Sequence, residues 1–215
     1  MSTEPVPLQR PTPPYWDAAV TALSTADPVM EGLIARWPGE RLALRSDPFQ
    51  TLSRAIVGQQ ISVKAAQTIW DRFSRAARTM TPDRVSRMRF STLTEAGLSG
   101  RKAEYLRDLA VHFRNGHIVP DRWPMLDDEA VIDELVAVRG IGRWTAEMFL
   151  MFNLMRPDVL PLDDVGLQKA ISLHYNDGVR VDRSQAAALG ARWQPWRTVA
   201  SWYLWRSLDP LPVEY

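Results

Sequence analysis

The sequence predicts an all-α protein. Apolar residues recur at spacings of three and four in most segments; in residues 62–78, for example, Ala66, Ile69 and Phe73 would share one face of a helix. No segment shows the strict alternation of apolar and polar residues that is typical of a half-buried strand. Prolines and glycines interrupt the helical periodicity at short intervals, so we expect many helices joined by short connectors.

Capping residues mark the expected starts of several helices. Ser62 and Thr81 are predicted N-caps, the latter with Pro82 in the first helical turn. Thr92 and Glu95 have the spacing of a capping box. Further helices are expected over about residues 127–138, 143–152, 184–193 and 196–207, with another beginning at Val165.

Composition excludes several classes of protein. The chain of 215 residues contains no cysteine, which excludes a disulfide framework, a thiolate zinc site and a cysteine-ligated iron–sulfur cluster. No apolar run approaches the ~20 residues that span a bilayer, so we expect no membrane partner and a cytoplasmic protein. Residues 1–14 are rich in proline and are expected to be a flexible lead-in without the pattern of a signal peptide.

The net charge of +1 conceals an uneven distribution. Residues 50–120 carry twelve lysines and arginines against five acidic residues, whereas residues 121–165 carry four against ten. A basic half is compatible with nucleic acid on one side of the protein. Solvated helix faces would produce the same pattern, so the charge distribution alone does not distinguish them from a nucleic-acid-binding surface.

The segment RGIGRWTAEMF, residues 139–149, predicts a tight reversal between two helices. Gly140 and Gly142 allow positive φ angles and a close approach of the backbone to another molecule. The N–H groups at the start of the second helix would form a cradle for a phosphate, with Arg143 adding positive charge. A helix that ends in glycine before an ordinary turn is the alternative.

Four motifs together resemble the helix-hairpin-helix DNA glycosylase superfamily, in the branch of 3-methyladenine DNA glycosylase II. LVAVRGIGRWTAEMFL is similar to its hairpin, and DVLPLDDVGLQKA to the loop that follows with an essential aspartate. AIVGQQISVKAA and GLSGRKAEYLRDLA resemble two upstream motifs, and ARWQPWRTVASWYLW resembles a C-terminal helix. The matches occur in the same order as in the family, across about residues 47–207. Each motif alone is weak evidence for the family, but their combination is specific to it.

The resemblance implies a helix-hairpin-helix glycosylase fold over residues 15–215. Two helical subdomains are expected, about residues 50–155 and residues 15–49 plus 156–215, with the active-site cleft between them. Longer members of the family also have an N-terminal antiparallel β domain, whereas the fifty or so residues before AIVGQQIS are predicted to be helical here. We therefore expect the compact form of the fold.

The implied activity is hydrolysis of the N-glycosidic bond of an alkylated base that has been flipped out of the duplex, which leaves an abasic site. An ionised carboxylate would stabilise the positive charge that develops on the deoxyribose and orient or deprotonate water. The family alignment places this role on Asp164, with Asp163 expected to cap the helix that begins at Val165. A doubly acidic helix start without catalysis is the alternative for both carboxylates.

Aromatic residues are implied to bind the extruded base. Members of the superfamily that also cut the backbone carry a lysine where this chain has Trp144, so the resemblance implies a monofunctional enzyme. An indole attracts the positive charge of a methylated base, and Trp205 is the second implied pocket aromatic. Well-known members have tyrosine where this chain has Met148, Val165 and Arg206, so the implied base pocket is less aromatic here. Trp70, Trp193 and Trp202 are expected in the core, with Trp196 packing within its motif.

The resemblance also implies DNA contacts along two loops. Gln60 would fill the gap left by the flipped base, with Gln59 beside it; an ordinary polar helix end is the alternative. The full implied set of DNA-binding residues is Gln59, Gln60, Gly140, Ile141, Gly142, Arg143 and Thr145. Backbone carbonyls of Val136, Val138 and Ile141 would hold a Na⁺ or K⁺ ion. No cofactor is expected otherwise, and the three histidines lack the spacing of metal ligands.

The expected partner is double-stranded DNA that contains damaged bases, bound by a monomer, in the nucleoid if the source is prokaryotic. Two alternatives remain open: a glycosylase for etheno or deaminated bases, and a helix-hairpin-helix protein that binds DNA without catalysis. Asp164, Trp144 and Trp205 favour catalysis, because binding alone requires none of them. A helix-turn-helix regulator is disfavoured because WTAEMFLMF is too apolar for a groove.

Overall fold

A computed structural model describes residues 12–44 and 47–209, and within them all regular structure is helical. The helices are α1 (Trp16–Ala26), α2 (Pro28–Ile34), α3 (Pro48–Gly58), α4 (Val63–Ala77), α5 (Pro82–Ser86), α6 (Phe90–Glu95), α7 (Gly100–Arg114), α8 (Asp128–Val136), α9 (Arg143–Phe152), α10 (Val165–Tyr175), α11 (Arg183–Gly190) and α12 (Arg197–Leu208), with 3₁₀ helices at Pro120–Met125 and Ala191–Trp193. The all-α prediction is confirmed. No helix in these ranges is both long and apolar enough to cross a membrane.

Local sequence determines where most of these helices begin. The side chains of Ser62 and Thr81 accept N–H groups in the first turns of α4 and α5, as expected. The predicted capping box at Thr92 and Glu95 is wrong, because α6 already begins at Phe90 and both residues lie within it. Of the predicted flexible segment 1–14, residues 1–11 lie outside the described residues.

The described residues fold into two compact units, and the first combines residues 12–44 with residues 154–209. Helix α12 is its centre: Thr198–Arg206 are all buried, and α12 contacts α1, α2 and α10. Trp16 packs edge-on against Trp202, with ring centroids 5.2 Å apart. Trp193 and Trp202 belong to this core, as predicted.

A buried carboxylate joins the elements of the first unit. Asp27, 3% exposed, accepts the N–H groups of Val29 and Met30 at the start of α2. It also accepts the hydroxyl of Tyr175 at 2.9 Å and the indole N–H of Trp193 at 3.2 Å. These four hydrogen bonds compensate for its burial and tie α2 to the C-terminal helices of the same unit.

The second unit holds α3 to α9. Helix α7 contacts α3, α5 and α6, while α9 packs against α3 and α8. Residues 145–152 of α9 are all buried, and Trp123 contacts Phe149 edge-on at 5.2 Å. Trp70 is buried as predicted, at 8% exposure. The apolar character of WTAEMFLMF therefore reflects a helix that is buried in this unit.

Candidate active site

In the first unit, the loop before α10 carries the carboxylate that the sequence assigns to catalysis. Asp164 is the N-cap of α10, and its Oδ1 accepts the backbone N–H of Leu167 at 2.6 Å. The indole Nε1–H of Trp205, on α12, donates to the same oxygen at 2.8 Å. Asp164 is only 7% exposed. Two donors therefore hold one carboxylate oxygen in a largely dry position, at a helix N-terminus whose dipole favours negative charge.

The backbone of this loop is held on both sides of the carboxylate. The N–H of Asp164 donates to Pro161 O at 3.0 Å, and Asp164 O accepts the N–H of Gln168 at 3.0 Å. The side-chain amide of Gln168 reaches back to Leu162 O at 2.7 Å. Because both backbone and side chain of Asp164 are hydrogen-bonded, the position of the carboxylate is defined before any substrate arrives.

The expected capping role of Asp163 is wrong. Asp164 has the extended backbone of an N-cap, with φ −75° and ψ 117°, and lies directly before the first helical residue. The side chain of Asp163 is instead 57% exposed and forms an ion pair with Arg183. Helix capping and the predicted catalytic role therefore fall on the same residue.

Trp205 makes a contact that the sequence does not reveal. Its indole N–H is directed at Asp164, and the residue is 5% exposed; that its ring also binds the base stays a prediction. Sequence spacing cannot show this hydrogen bond, because the two residues are 41 positions apart.

The two family tyrosine positions in this unit have very different surroundings. Val165 is 77% exposed beside Asp164. Arg206 is 2% exposed, pairs with Glu40 and has its guanidinium 4.3 Å from the centre of the Trp37 ring. The centre of the Trp202 ring also lies 5.5 Å from the guanidinium, and this pair of cation–π contacts stabilises the packing of α12 within the unit.

In the second unit, the reversal between α8 and α9 forms as predicted. Gly140 has φ +87°, which favours glycine. Gly142 does not use the positive φ that glycine allows: it is an extended N-cap with φ −94° and no side-chain cap. A Cβ on Gly140 would lie 2.1 Å from the Tyr105 ring, whereas one on Gly142 would meet nothing within 4 Å. Positive φ and the close approach of Tyr105 therefore require a glycine at position 140, whereas neither requires one at position 142.

Arg143 does not present an isolated positive charge. Its guanidinium donates to Glu129 at 2.9 Å and to Glu147 at 3.1 Å. The hydrogen bond with Glu129 raises the pKa of Arg143 above its ordinary value, so its charge is permanent. A phosphate would have to compete with these two carboxylates for the guanidinium.

Other predicted residues of the hairpin are largely covered. The side chains of Ile141 and Thr145 are 4% and 9% exposed, which leaves their backbone groups rather than their side chains for DNA. Trp144 is half-buried in the first turn of α9, and Met148 is 6% exposed one turn later.

The loop between α3 and α4 holds the two glutamines in different environments. Gln60 is exposed and has a φ of 59°, in the left-handed region. Gln59 is half-buried, and its amide donates to Gly140 O at 2.7 Å. Lys102, whose role the sequence does not indicate, donates to Val57 O and Gln59 O, each at 2.8 Å. Burial lowers the pKa of this ammonium group.

The carbonyls implied to hold a cation lie at the same reversal. Val138 O accepts the N–H of Ile141 at 3.1 Å, and a carbonyl oxygen retains a second lone pair for a ligand. Oxygen donors of this kind suit hard cations. Among the described residues, no group of three or more His, Asp and Glu side chains is arranged to hold a metal ion.

Comparison with known proteins identifies the family. The family of HhH-GPD superfamily base excision DNA repair proteins matches residues 53–195. DNA-3-methyladenine glycosylase 1 of Schizosaccharomyces pombe is 31% identical over 202 residues, which cover 87% of this chain and 89% of that protein. Some relatives are longer, and the chain spans 62% of one from Bacillus subtilis.

Two solved structures share the fold. The DNA-3-methyladenine glycosidase of Bacillus halodurans has a TM-score of 0.83 at 35% identity, covering 89% of each chain. The 3-methyladenine DNA glycosylase Mag1 of S. pombe, in complex with abasic DNA, has a TM-score of 0.79 at 29% identity, covering 92% of this chain and all of that one. The helix-hairpin-helix DNA glycosylase fold is therefore confirmed, and the chain belongs to the HhH-GPD superfamily of base excision DNA repair proteins.

Proposed function

We propose that the protein is a monofunctional DNA glycosylase that hydrolyses the N-glycosidic bond of alkylated bases, of the 3-methyladenine and 7-methylguanine type. The observation that carries the proposal is the buried carboxylate of Asp164, oriented by the N–H groups of Leu167 and Trp205. Asp27 is a buried carboxylate with a structural role, and Asp164, directly beside the indole of Trp205, differs from it in lying where the family motif carries its essential aspartate. The relatives named 3-methyladenine glycosylases support the substrate class.

In the proposed reaction, the bond from C1′ of the deoxyribose to the base nitrogen breaks, and its electron pair leaves with the base. Positive charge then develops over C1′ and the ring oxygen, where an ionised carboxylate stabilises it. Water adds to C1′, its proton passes to Asp164 or to solvent, and an abasic sugar remains. We assign the contact with the sugar or water to the carboxylate of Asp164, which the N–H groups of Leu167 and Trp205 hold in place through Oδ1.

Trp144 supports both the choice of substrate and the absence of lyase chemistry. A base methylated on a ring nitrogen carries delocalised positive charge, and a desolvated indole face attracts such a cation by ~2 kcal/mol. An indole has no amine that could form a Schiff base with the sugar. We therefore propose that Trp144 stacks on the extruded base and that the DNA backbone is left intact.

Exposed aliphatic surface beside the carboxylate favours a second substrate class. Val165 is 77% exposed at a position where well-known members of the branch carry tyrosine. An aliphatic side chain contributes contact area without preferring a cation. Etheno and deaminated bases, which are neutral, are therefore the second candidate substrates within the same reaction.

DNA binding in this proposal rests on backbone groups. The N-terminus of α9 has no side-chain cap, and helix N-termini bind phosphate through their backbone N–H groups. The carbonyls of Val136, Val138 and Ile141 would hold a Na⁺ or K⁺ ion that bridges the hairpin to the phosphate. We further propose that the protein acts as a monomer in the cytoplasm, at the nucleoid if the source is prokaryotic.

Release of alkylated bases tests the proposal directly. Duplex DNA treated with a methylating agent is incubated with the protein, and released 3-methyladenine and 7-methylguanine are separated and quantified. We expect release well above that in buffer, and release equal to that in buffer would refute the glycosylase. Parallel duplexes with etheno-adenine or uracil measure the second substrate class.

Borohydride trapping distinguishes a monofunctional from a bifunctional enzyme. Reduction during turnover would capture a Schiff base as a covalent protein–DNA adduct. We expect no adduct at enzyme concentrations that complete base release, and alkali-labile abasic sites instead of cut strands. A glycosylase of this superfamily with a catalytic lysine serves as the positive control, and an adduct of this chain would contradict the assignment.

Gln60 is expected to matter only for duplex DNA. A side chain that fills the gap left by a flipped base and hydrogen-bonds its partner has no role on a single strand. Gln60→Ala should lower excision from methylated duplex about fivefold, the value of one net hydrogen bond, and leave excision from methylated single strands unchanged. Gln67→Ala is the control, because it removes an exposed side-chain amide from the neighbouring helix α4. Equal losses on both substrates would contradict a wedge.

A further inference from the structure

Gly166, in the first turn of α10, lies directly against the Asp164–Trp205 pair. A Cβ at this position would be 3.1 Å from Asp164 Oδ1, and 3.4 Å and 3.6 Å from Cδ1 and Nε1 of Trp205. The first distance is shorter than ordinary van der Waals contact between carbon and oxygen. Any side chain here would therefore press on the atoms that form the 2.8 Å hydrogen bond between indole and carboxylate.

Backbone conformation does not explain the glycine. Gly166 is inside a regular helix and does not have a positive φ angle, unlike Gly140. A glycine in a helix costs stability relative to alanine. Local structure would thus favour alanine at this position, and the crowding of Asp164 and Trp205 is the feature of the fold that opposes it.

The neighbouring atoms have little freedom to yield. Oδ1 of Asp164 is held by the Leu167 N–H at 2.6 Å as well as by the indole. The Asp164 backbone is held by Pro161 and Gln168. Trp205 is 5% exposed on a helix that is buried on all sides. Making room for a Cβ at position 166 requires a shift of a few tenths of an ångström. That shift must therefore distort the hydrogen bond between the side chains of Asp164 and Trp205.

We infer that Gly166 is a positioning residue for base excision: the absence of a side chain there keeps Asp164 Oδ1 and the indole N–H of Trp205 in contact. The inference rests on the proposed role of Asp164 as the carboxylate that stabilises the sugar cation. Gly166 itself contacts neither sugar nor base in this account. It acts through the orientation of the carboxylate, to which such reactions are sensitive at sub-ångström scale.

The test is Gly166→Ala, with Gly32→Ala as the matched control. Gly32 is also within a helix of the first unit, and a Cβ there would meet nothing within 4 Å. We expect Gly166→Ala to lower the single-turnover rate of 3-methyladenine release about tenfold, while Tm stays within about 2 °C of wild type or rises. Affinity for abasic-site duplex should be unchanged. Gly32→Ala should excise at the wild-type rate.

A double-mutant cycle shows whether Gly166 acts through the hydrogen bond. Trp205→Phe removes the N–H donor and shortens the ring, so a Cβ at position 166 has less to displace. In that background we expect Gly166→Ala to change the rate by less than about twofold, since residues acting through one contact are not additive. A tenfold loss in both backgrounds would overturn the inference.

A spectroscopic measurement is independent of turnover. The ¹H–¹⁵N spectrum resolves indole N–H groups, and the peak of Trp205 is the one that disappears in Trp205→Phe. We expect this peak to shift in Gly166→Ala but not in Gly32→Ala, because its hydrogen bond to Asp164 changes. An unshifted peak, a wild-type rate or a Tm lowered by more than a few degrees would each overturn the role of Gly166. Failure of wild type to release any base would instead overturn the proposed function.

Discussion

Asp164→Asn is expected to lower the single-turnover rate of 3-methyladenine release on the order of 100-fold or more. Asparagine is isosteric and keeps an oxygen that accepts the N–H groups of Leu167 and Trp205. It also remains a good N-cap for α10. The substitution therefore removes the negative charge while leaving the local fold in place, and the loss should appear in the chemical step.

Asp163→Asn is the matched control for this experiment. Asp163 is adjacent in sequence, but its side chain is 57% exposed and paired with Arg183 on the surface. Such a pair contributes little to stability, so this variant should release base at close to the wild-type rate. Binding to undamaged duplex and to abasic-site duplex should be unchanged in both variants. Comparable losses in the two variants, or a residual rate above a tenth of wild type in Asp164→Asn, would contradict the assignment.

Gly140→Ala is expected to have the largest effect on stability. A residue with a Cβ costs about 1–2 kcal/mol in the left-handed region, and φ at this position is +87°. The new Cβ would also lie 2.1 Å from Cδ2 of Tyr105, and overpacking of this kind costs about 1–3 kcal/mol. We expect a loss of about 3 kcal/mol in the free energy of unfolding, measured by urea denaturation.

The consequences for DNA should follow from the same displacement. Tyr105 and Gly140 must separate, which also strains the 2.7 Å hydrogen bond from Gln59 to Gly140 O. Affinity for undamaged and damaged duplex should fall together, because backbone contacts with phosphate carry no sequence information.

Gly142→Ala is the control within the same hairpin. A Cβ at Gly142 meets nothing within 4 Å, and its φ is −94°. This variant should unfold at close to the wild-type urea concentration. Equal destabilisation by the two substitutions, or a loss of affinity in Gly140→Ala that is confined to damaged DNA, would show that this account of the hairpin is wrong.

Local physics was sufficient to predict most of the fold. Some features depend only on a few neighbouring residues and can therefore be predicted from the sequence: the helical periodicity, the caps at Ser62 and Thr81, and the reversal at Gly140. Two local predictions were wrong. The capping box at Thr92 is wrong because α6 already begins at Phe90. The cap of α10 falls on Asp164 rather than on Asp163, because two adjacent aspartates have the same propensity for the N-cap and spacing does not choose between them.

The sequence by itself determined the fold class, the order of the helices, the position of the hairpin and, through its resemblance, the carboxylate to test. Only the tertiary structure decided which donors hold that carboxylate, which acids neutralise Arg143 and why Gly140 and Gly166 lack side chains. Hydrogen bonds such as the one from Trp205 to Asp164 join residues 41 positions apart, and no local pattern encodes their distance or direction. These contacts form only when the helices pack, because packing brings together groups that propensity and spacing treat separately.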